Sequence, residues 1–210
     1  MAAKDPSLKN DRASRRDFLA AGCGLAAMLA LGGWSRRAGG AAFLRPPGAL
    51  EEASFLARCI RCDRCRGACP TAAVGVLHTE DGVFAARTPT LDFHIGYCDF
   101  CGDCAAVCPT GALQPFDAKT ARIGLAEVND RCIALNSGGC NVCGERCPYG
   151  AVSFDGMRRP VVDAARCNGC GVCENACPAL VLRSYLGGKE RGIVVKAPGE
   201  ATSHAAGEGA

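Results

Sequence analysis

Large side chains are scarce in this chain of 210 residues. Aromatic residues make up 6% of it, with a single Trp and three Tyr, and the hydrophobic fraction of 49% is inflated by Ala and Cys. A broad core of interlocking aliphatic and aromatic groups is therefore not available in quantity, and something else must help hold the fold together. Histidine is limited to His78, His94 and His204, too few for a chain organised around Cys and His zinc pairs. Long apolar runs are missing as well. The one candidate, Phe18 to Leu31, is short and rich in Gly and Ala, whereas a membrane span needs about 20 apolar residues. A single-sign charge is also lacking outside the N-terminus. Residues 1–40 carry seven Lys or Arg against three Asp, a net of +4, so the formal +3 of the whole chain leaves about −1 for residues 41–210. The basic character belongs to the N-terminus and gives no support to nucleic-acid binding.

The N-terminus has the order of an export signal. Lys4, Lys9, Arg12, Arg15 and Arg16 precede the apolar run, and small residues follow at Ala38, Gly40 and Ala41. The stretch Ser14-Arg15-Arg16-Asp17-Phe18-Leu19 resembles the twin-arginine signature, whose pathway carries proteins that are already folded. Residues 1–41 are expected to be this signal peptide, and 42–54, with "LRPPGAL" at Leu44 to Leu50, an extended linker.

What the chain has in abundance is cysteine, 17 in all. Apart from Cys23 they fall into four groups: Cys59, Cys62, Cys65 and Cys69; Cys98, Cys101, Cys104 and Cys108; Cys132, Cys140, Cys143 and Cys147; Cys167, Cys170, Cys173 and Cys177. Three groups follow C-x2-C-x2-C-x3-C-P, and the third keeps C-x2-C-x3-C-P behind a first gap stretched to seven residues. After each Pro comes a short run, "TAAVGV", "TGALQP", "YGAVSF" and "ALVLRS", expected to be a brief strand entered from a short helix that the Pro ends.

Three thiolates spaced this way can reach three irons of one cubane, while a fourth, carried round by the helix, ligates the neighbouring cluster of a pair. Structural zinc does not call for three crowded Cys, and the repeat is an unusual framework for the disulfides that exported cysteines normally form. Export of a folded chain reconciles the tag with the thiols, because clusters can be inserted before the protein leaves the cytoplasm. Sixteen cysteines supply four 4Fe-4S clusters with four ligands each and leave none over. Two pairings are open. In chain order, Cys59, Cys62, Cys65 and Cys108 form one set and Cys98, Cys101, Cys104 and Cys69 the next; Cys132, Cys140, Cys143 and Cys177, then Cys167, Cys170, Cys173 and Cys147, complete the four. A nested alternative pairs the first motif with the fourth and the second with the third.

"LRPPGAL" ahead of the first motif, the four motifs in order and the stretched third motif resemble the MauM/NapG-type ferredoxin family, from the signal to about Leu186. The resemblance implies a periplasmic electron carrier, not an enzyme, working beside a membrane-bound iron-sulfur quinol dehydrogenase and a periplasmic c-type cytochrome or reductase such as nitrate reductase. The alternatives are an iron-sulfur subunit permanently bound to a periplasmic oxidoreductase, or a maturation protein of the methylamine-utilisation type. The compact "CDFCGDC" and short tail depart from the nitrate-linked members and leave the pathway open. So is retention of the signal, which would keep the protein at the membrane.

The expected fold is α+β, two tandem ferredoxin-like dicluster modules over residues 55–120 and 121–186, with a largely disordered tail over 187–210, the disorder lying beyond Lys196. No catalytic constellation, small-molecule substrate or nucleotide loop is read from the sequence. His78 and His94 are expected to be solvated or packed, and Tyr97 and Tyr149 to pack beside ligands. Arg58, Arg61, Arg64 and Arg66 interleave with the first motif, where they either compensate an anionic centre, or raise its potential, or dock an acidic partner.

Overall fold

The computed structural model describes residues 24, 42–179 and 191–198. Most of the stretch expected to be a signal peptide, most of the stretch after the fourth motif and the final residues lie outside these. From Ala42 onward the described residues belong to one unit.

The first helix, α1 (Glu52–Arg58), starts where the Glu51 carboxylate accepts the N–H groups of Ala53 and Ser54, with Glu52 in its first turn and Arg58 in its last. Both charges suit the helix dipole. Its inner face carries Phe55, fully buried. The guanidinium of Arg45 lies 4.7 Å from the Phe55 ring centroid and donates from Nε to Glu52 at 2.9 Å. Pro46 is also fully buried, the Leu44 carbonyl accepts the N–H of Leu91, and Ala49 bridges to Leu113. The stretch expected to be an extended linker is thus fixed against the first half of the chain.

Single-turn helices follow: α2 (Arg64–Ala68), α3 (Asp103–Ala106), α4 (Ile133–Ser137), α5 (Val142–Arg146) and α6 (Val172–Asn175). All but α4 carry the third cysteine of a motif. They are short for a stated reason. The residue before a proline is pushed out of helical conformation, and Cys69 and Cys147 accordingly sit at ψ 112° and 111° as the caps of α2 and α5. The extra helix α4 fills the stretched gap of the third motif.

Three two-stranded antiparallel sheets complete the fold. β1 (Val74–Val76) pairs with β2 (Pro89–Leu91), β4 (Val152–Phe154) with β5 (Pro160–Val162), and β3 (Leu125–Val128) with β6 (Ile193–Lys196). The expected strands after the first and third motifs are β1 and β4. "TGALQP" contributes only the Leu113 bridge, and "ALVLRS" lies largely outside the described residues. Ile193–Lys196 falls in the expected tail, just ahead of the part beyond Lys196 expected to be disordered. Ile193 and Val195 are buried and pair with β3, so this segment closes the second half.

The described elements are small helices and paired strands, an α+β arrangement. One apolar cluster joins Val74, Leu91, Phe93 and Phe100 to Ile123, Val152, Cys170, Ile193 and Val195, so the halves share a core. The halves approach closely at Gly171, whose backbone is left-handed at φ +79°. A Cβ there would meet the Phe93 ring at 2.1 Å. Gly171→Ala is expected to cost about 3 kcal/mol, combining left-handed strain with overpacking, and to lower the anaerobic unfolding midpoint by roughly 6–12 °C. Gly67→Ala, in α2 with open space around it, is expected to leave the midpoint unchanged or slightly raised.

Candidate functional site

In the first, second and fourth motifs the backbone turns through left-handed conformation on both sides of the second cysteine. The residues are Arg61 and Asp63 around Cys62, Phe100 and Gly102 around Cys101, and Gly169 and Gly171 around Cys170. These reversals delay the helix until just before the third cysteine, so that three thiols reach one cavity instead of being spread round a helix. A further left-handed residue follows each described C-P pair that enters a strand or bridge, at Ala72, Gly111 and Gly150. Arg, Asp, Phe and Ala hold this conformation only at a cost, and such strain concentrates at functional sites. The third motif has no left-handed residue beside Cys140; its stretched gap places one at Gly138 instead.

The thiols gather in quartets that cross between motifs. Cys59, Cys62, Cys65 and Cys108 line one cavity, Cys69, Cys98, Cys101 and Cys104 a second, and Cys147, Cys167, Cys170 and Cys173 a third. Cys143 lies within electrostatic range of Cys132, Cys140 and Cys177. The grouping follows chain order, first motif with second and third with fourth, and α2 against α3 and α5 against α6 hold the two pairs together. Among the described residues no three His, Cys, Asp or Glu side chains converge on a point as a single metal ion requires. The thiols surround a space instead.

The thiols divide electrostatically. Burial, with the like charges of neighbouring cysteines adding to it, pushes Cys65 and Cys143 up to about 11 and Cys98 up to about 12, and carries Cys173 higher still. Cys101 is also pushed up to about 11, by desolvation and then by Asp99. Cys69 and Cys108 move the other way. Burial raises them too, but hydrogen bonds to sulfur outweigh it. Leu113 donates its N–H to Cys108 Sγ at 3.4 Å and Ala151 to Cys147 Sγ at 3.3 Å, while the hydroxyls of Thr71 and Thr110 lie 3.5 and 3.8 Å from Cys69 and Cys108 Sγ. A 4Fe-4S cluster fits this donor set. Held by these cysteines, its iron cations would relieve the repulsion among crowded thiolates.

The two halves meet through the sites themselves: the Cys98 N–H donates to the Cys170 carbonyl at 2.8 Å. Arg122 donates to the carbonyls of Ala164 and Cys167 at 2.8 Å each, and to that of Ala165 at 2.6 Å. Arg191 holds the carbonyls of Asn175 and Cys177 at 2.6 and 2.9 Å. Sequence reasoning did not single out these two arginines or the Thr71 and Thr110 hydroxyls. The repeated Cys-Pro-Thr of the first two motifs was the available signal for the threonines; nothing local marks the arginines. Of the arginines that were singled out, Arg61 donates to the carbonyls of Ala86 and Phe84. Tyr149 lines the third cavity. Tyr97 offers its carbonyl to the Thr71 hydroxyl. His78 caps a 3-10 turn over Thr79–Asp81, and His94 Nε2 lies 3.7 Å from Glu174.

The family profile described as "4Fe-4S dicluster domain" matches residues 58–112 and again 119–181. Fold and site thus define an iron-sulfur protein built on dicluster domains. The chain is 39% identical over 160 residues to the methylamine utilization ferredoxin-type protein MauM of Methylophilus methylotrophus, covering 68% of this chain and 70% of that protein. It is 36% identical over 183 residues to the ferredoxin-type protein NapG of Escherichia coli K12, covering 77% and 78%, and 31% identical over 160 residues to NapF of the same strain, covering 74% and 91%. The chain belongs to the MauM/NapG-type family of ferredoxin-type iron-sulfur electron carriers.

Arg122→Gln removes the fork that holds the approach to Cys167. Amide exchange across residues 163–170 is expected to quicken roughly tenfold, about 1.4 kcal/mol of local stability. Arg159→Gln is the control, since the Arg159 guanidinium has no partner among the described residues, and is expected to leave exchange unchanged.

Proposed function

We propose that this chain is a periplasmic electron relay holding four 4Fe-4S clusters, exported folded by the twin-arginine route. It passes electrons from a membrane-bound iron-sulfur quinol dehydrogenase towards a periplasmic c-type cytochrome or reductase. The observation that carries the reading is the lining of three separate cavities by four thiols each, with the remaining four cysteines associated around Cys143. The ligand sets are those quartets, and the modules are the chain-order pairs.

A bound 4Fe-4S cluster accepts and returns single electrons. The chain's own groups do the rest. All four ligands of each cluster are cysteine thiolates, leaving no open position for a substrate. Leu113 and Ala151 N–H groups and the Thr110 hydroxyl donate to ligand sulfurs and so favour the more negative, reduced state. Burial of Cys167, Cys170 and Cys173 excludes water. The chain sets the quartets in series: the Cys59 set beside the Cys98 set across α2 and α3, the Cys98 set beside the Cys167 set through the Cys98–Cys170 hydrogen bond, and the Cys167 set beside the Cys132 set across α5 and α6. The names of the relatives divide between methylamine utilization and Nap proteins, and the partners are therefore assigned by class.

Anaerobically purified protein should contain about sixteen iron and sixteen sulfide per chain, as four cubanes demand. Zinc, or oxidised cysteines with little iron, would defeat the reading. Thr110→Val deletes one hydroxyl donor to Cys108. Potentiometric EPR should then show one of the clusters lowered by about 40 mV, the one-electron equivalent of a hydrogen bond worth about 1 kcal/mol.

A further inference from the structure

Arg61 is the anchor of an unusual patch. Its two donations to the carbonyls of Ala86 and Phe84, at 3.0 and 2.8 Å, draw the loop between β1 and β2 over the first thiol quartet. That loop presents Val83 and Phe84, 78% and 69% exposed, and Ile60, the neighbour of Arg61 in the chain, is 62% exposed. Large apolar side chains are scarce in this protein, and these are three of the most exposed among the described residues. Arginines accompany them. Arg61, Arg64 and Arg87 line the same cavity as Ile60 and the thiols of Cys59, Cys62, Cys65 and Cys108, and Arg58 and Arg66 flank it in sequence. Among the described residues the guanidinium groups of Arg58, Arg64, Arg66 and Arg87 have no hydrogen-bond or ion-pair partner. By contrast, Arg45, Arg122 and Arg191 are all committed to carboxylate or carbonyl oxygens within the fold. Cys62, an exposed thiol, lines the same cavity as Ile60 and these arginines.

We propose that this patch is the docking surface for an acidic redox-protein partner, which brings its own centre against the Cys62 side of the first quartet. The inference rests on the relay reading and adds to it the end of the series at which a partner binds and the chemistry of that partner's surface. Exposed apolar groups ringed by arginine match the composition of protein interfaces, where arginine is enriched and the apolar centre is sealed by a polar rim. A small patch of this kind suits the brief, electrostatically steered encounters of electron-transfer proteins. Asp63, Glu80 and Asp81 lie in the same loops and dilute the positive charge, which favours a patterned protein surface over an anionic lipid surface. A docked membrane would also cover Cys62 without presenting a redox centre to it.

The test uses the iron-loaded full chain and flavodoxin, a strongly acidic one-centre redox protein, as the probe. Binding of oxidised flavodoxin is measured by calorimetry, and the reaction with its hydroquinone by stopped flow, across a range of ionic strength. The wild type is expected to bind flavodoxin, with affinity and rate both falling as salt rises. Arg64→Glu/Arg87→Glu is expected to weaken both at least tenfold at low salt, with iron content retained. Phe84→Ser, which touches no arginine charge, is expected to weaken binding while keeping the salt dependence. Equal affinities in wild type and both variants would overturn the proposal, as would salt-independent binding. Binding of the wild type to phosphatidylglycerol vesicles, lost in the double arginine variant, would overturn it in favour of a membrane surface. The methyl viologen radical, a small cation that needs no docking site, separates the two readings. Its reduction of the clusters should persist in every variant if the relay reading holds, and its failure in the wild type would instead remove the relay itself.

Discussion

Bringing four acidic sulfur groups to the wall of one apolar cavity is the constraint to which the rest of this structure answers. Buried thiols resist ionisation, and each thiolate formed makes the next harder to form, which is why Cys65, Cys98 and Cys143 are driven above the ordinary thiol range. The backbone nevertheless gathers them, with left-handed Arg61, Asp63 and Phe100 paying no heed to side-chain preference. Regular structure is cut to what the sulfurs need. One helical turn carries the third cysteine, a proline ends it, and a strand of three or four residues leads away. Neither a single-turn helix nor a two-stranded sheet is stable by itself, so the elements depend on whatever fills the cavities.

The two halves are not independent beads. Phe93, from the first half, lies against Gly171 of the fourth motif at a distance no other residue would tolerate. Asn175 donates to the Phe93 carbonyl, and the Cys98 N–H meets the Cys170 carbonyl. Gly171 and Asn175 lie within two residues of fourth-motif cysteines, and Cys98 is itself a thiol of the second quartet. A disturbance in the second quartet therefore reaches the third cavity through the main chain of Cys98 and Cys170, and both halves contribute to the shared apolar cluster. The strand Ile193–Lys196 strengthens this by returning to pair with β3 after the fourth motif.

The cysteine repeat made the chemistry legible from sequence, because ligand spacing is a local property and each motif encodes it independently four times. The short helices and the strands after the first and third motifs were legible for the same reason, through Pro and the apolar triplets at Val74 and Val152. What escaped was whatever depends on distant partners. β6 reads as tail because Ile193 to Lys196 is only four residues long, and its partner lies at Leu125 to Val128. The "LRPPGAL" stretch reads as linker because its prolines are evident, whereas the fit of Arg45 between Phe43 and Phe55 is not. Left-handed Gly102, Gly169 and Gly171 could be anticipated from glycine's freedom; left-handed Arg61, Asp63 and Phe100 could not, since local sequence disfavours them. The choice between chain-order and nested grouping was closed to the sequence altogether, because all four motifs carry nearly the same spacing.

The series of quartets is graded in its surroundings, and this bears on the direction in which electrons would run on the proposed reading. Reduction adds negative charge to a centre already surrounded by thiolates, so a low-dielectric setting disfavours it while nearby cations and N–H donors favour it. The Cys59 quartet has Arg61, Arg64 and Arg87 in its wall and an exposed Cys62. The Cys167 quartet has three buried cysteines and no cationic side chain in its lining. Between these two quartets burial and charge act in the same sense, placing the easier reduction at the arginine-lined Cys59 set and the harder one at the Cys167 set. An electron would gain driving force on moving towards the Cys59 quartet, which is also the one set beneath an exposed apolar patch. The same arginines that favour the reduced centre can thus attract an acidic acceptor to the place where the electron comes to rest.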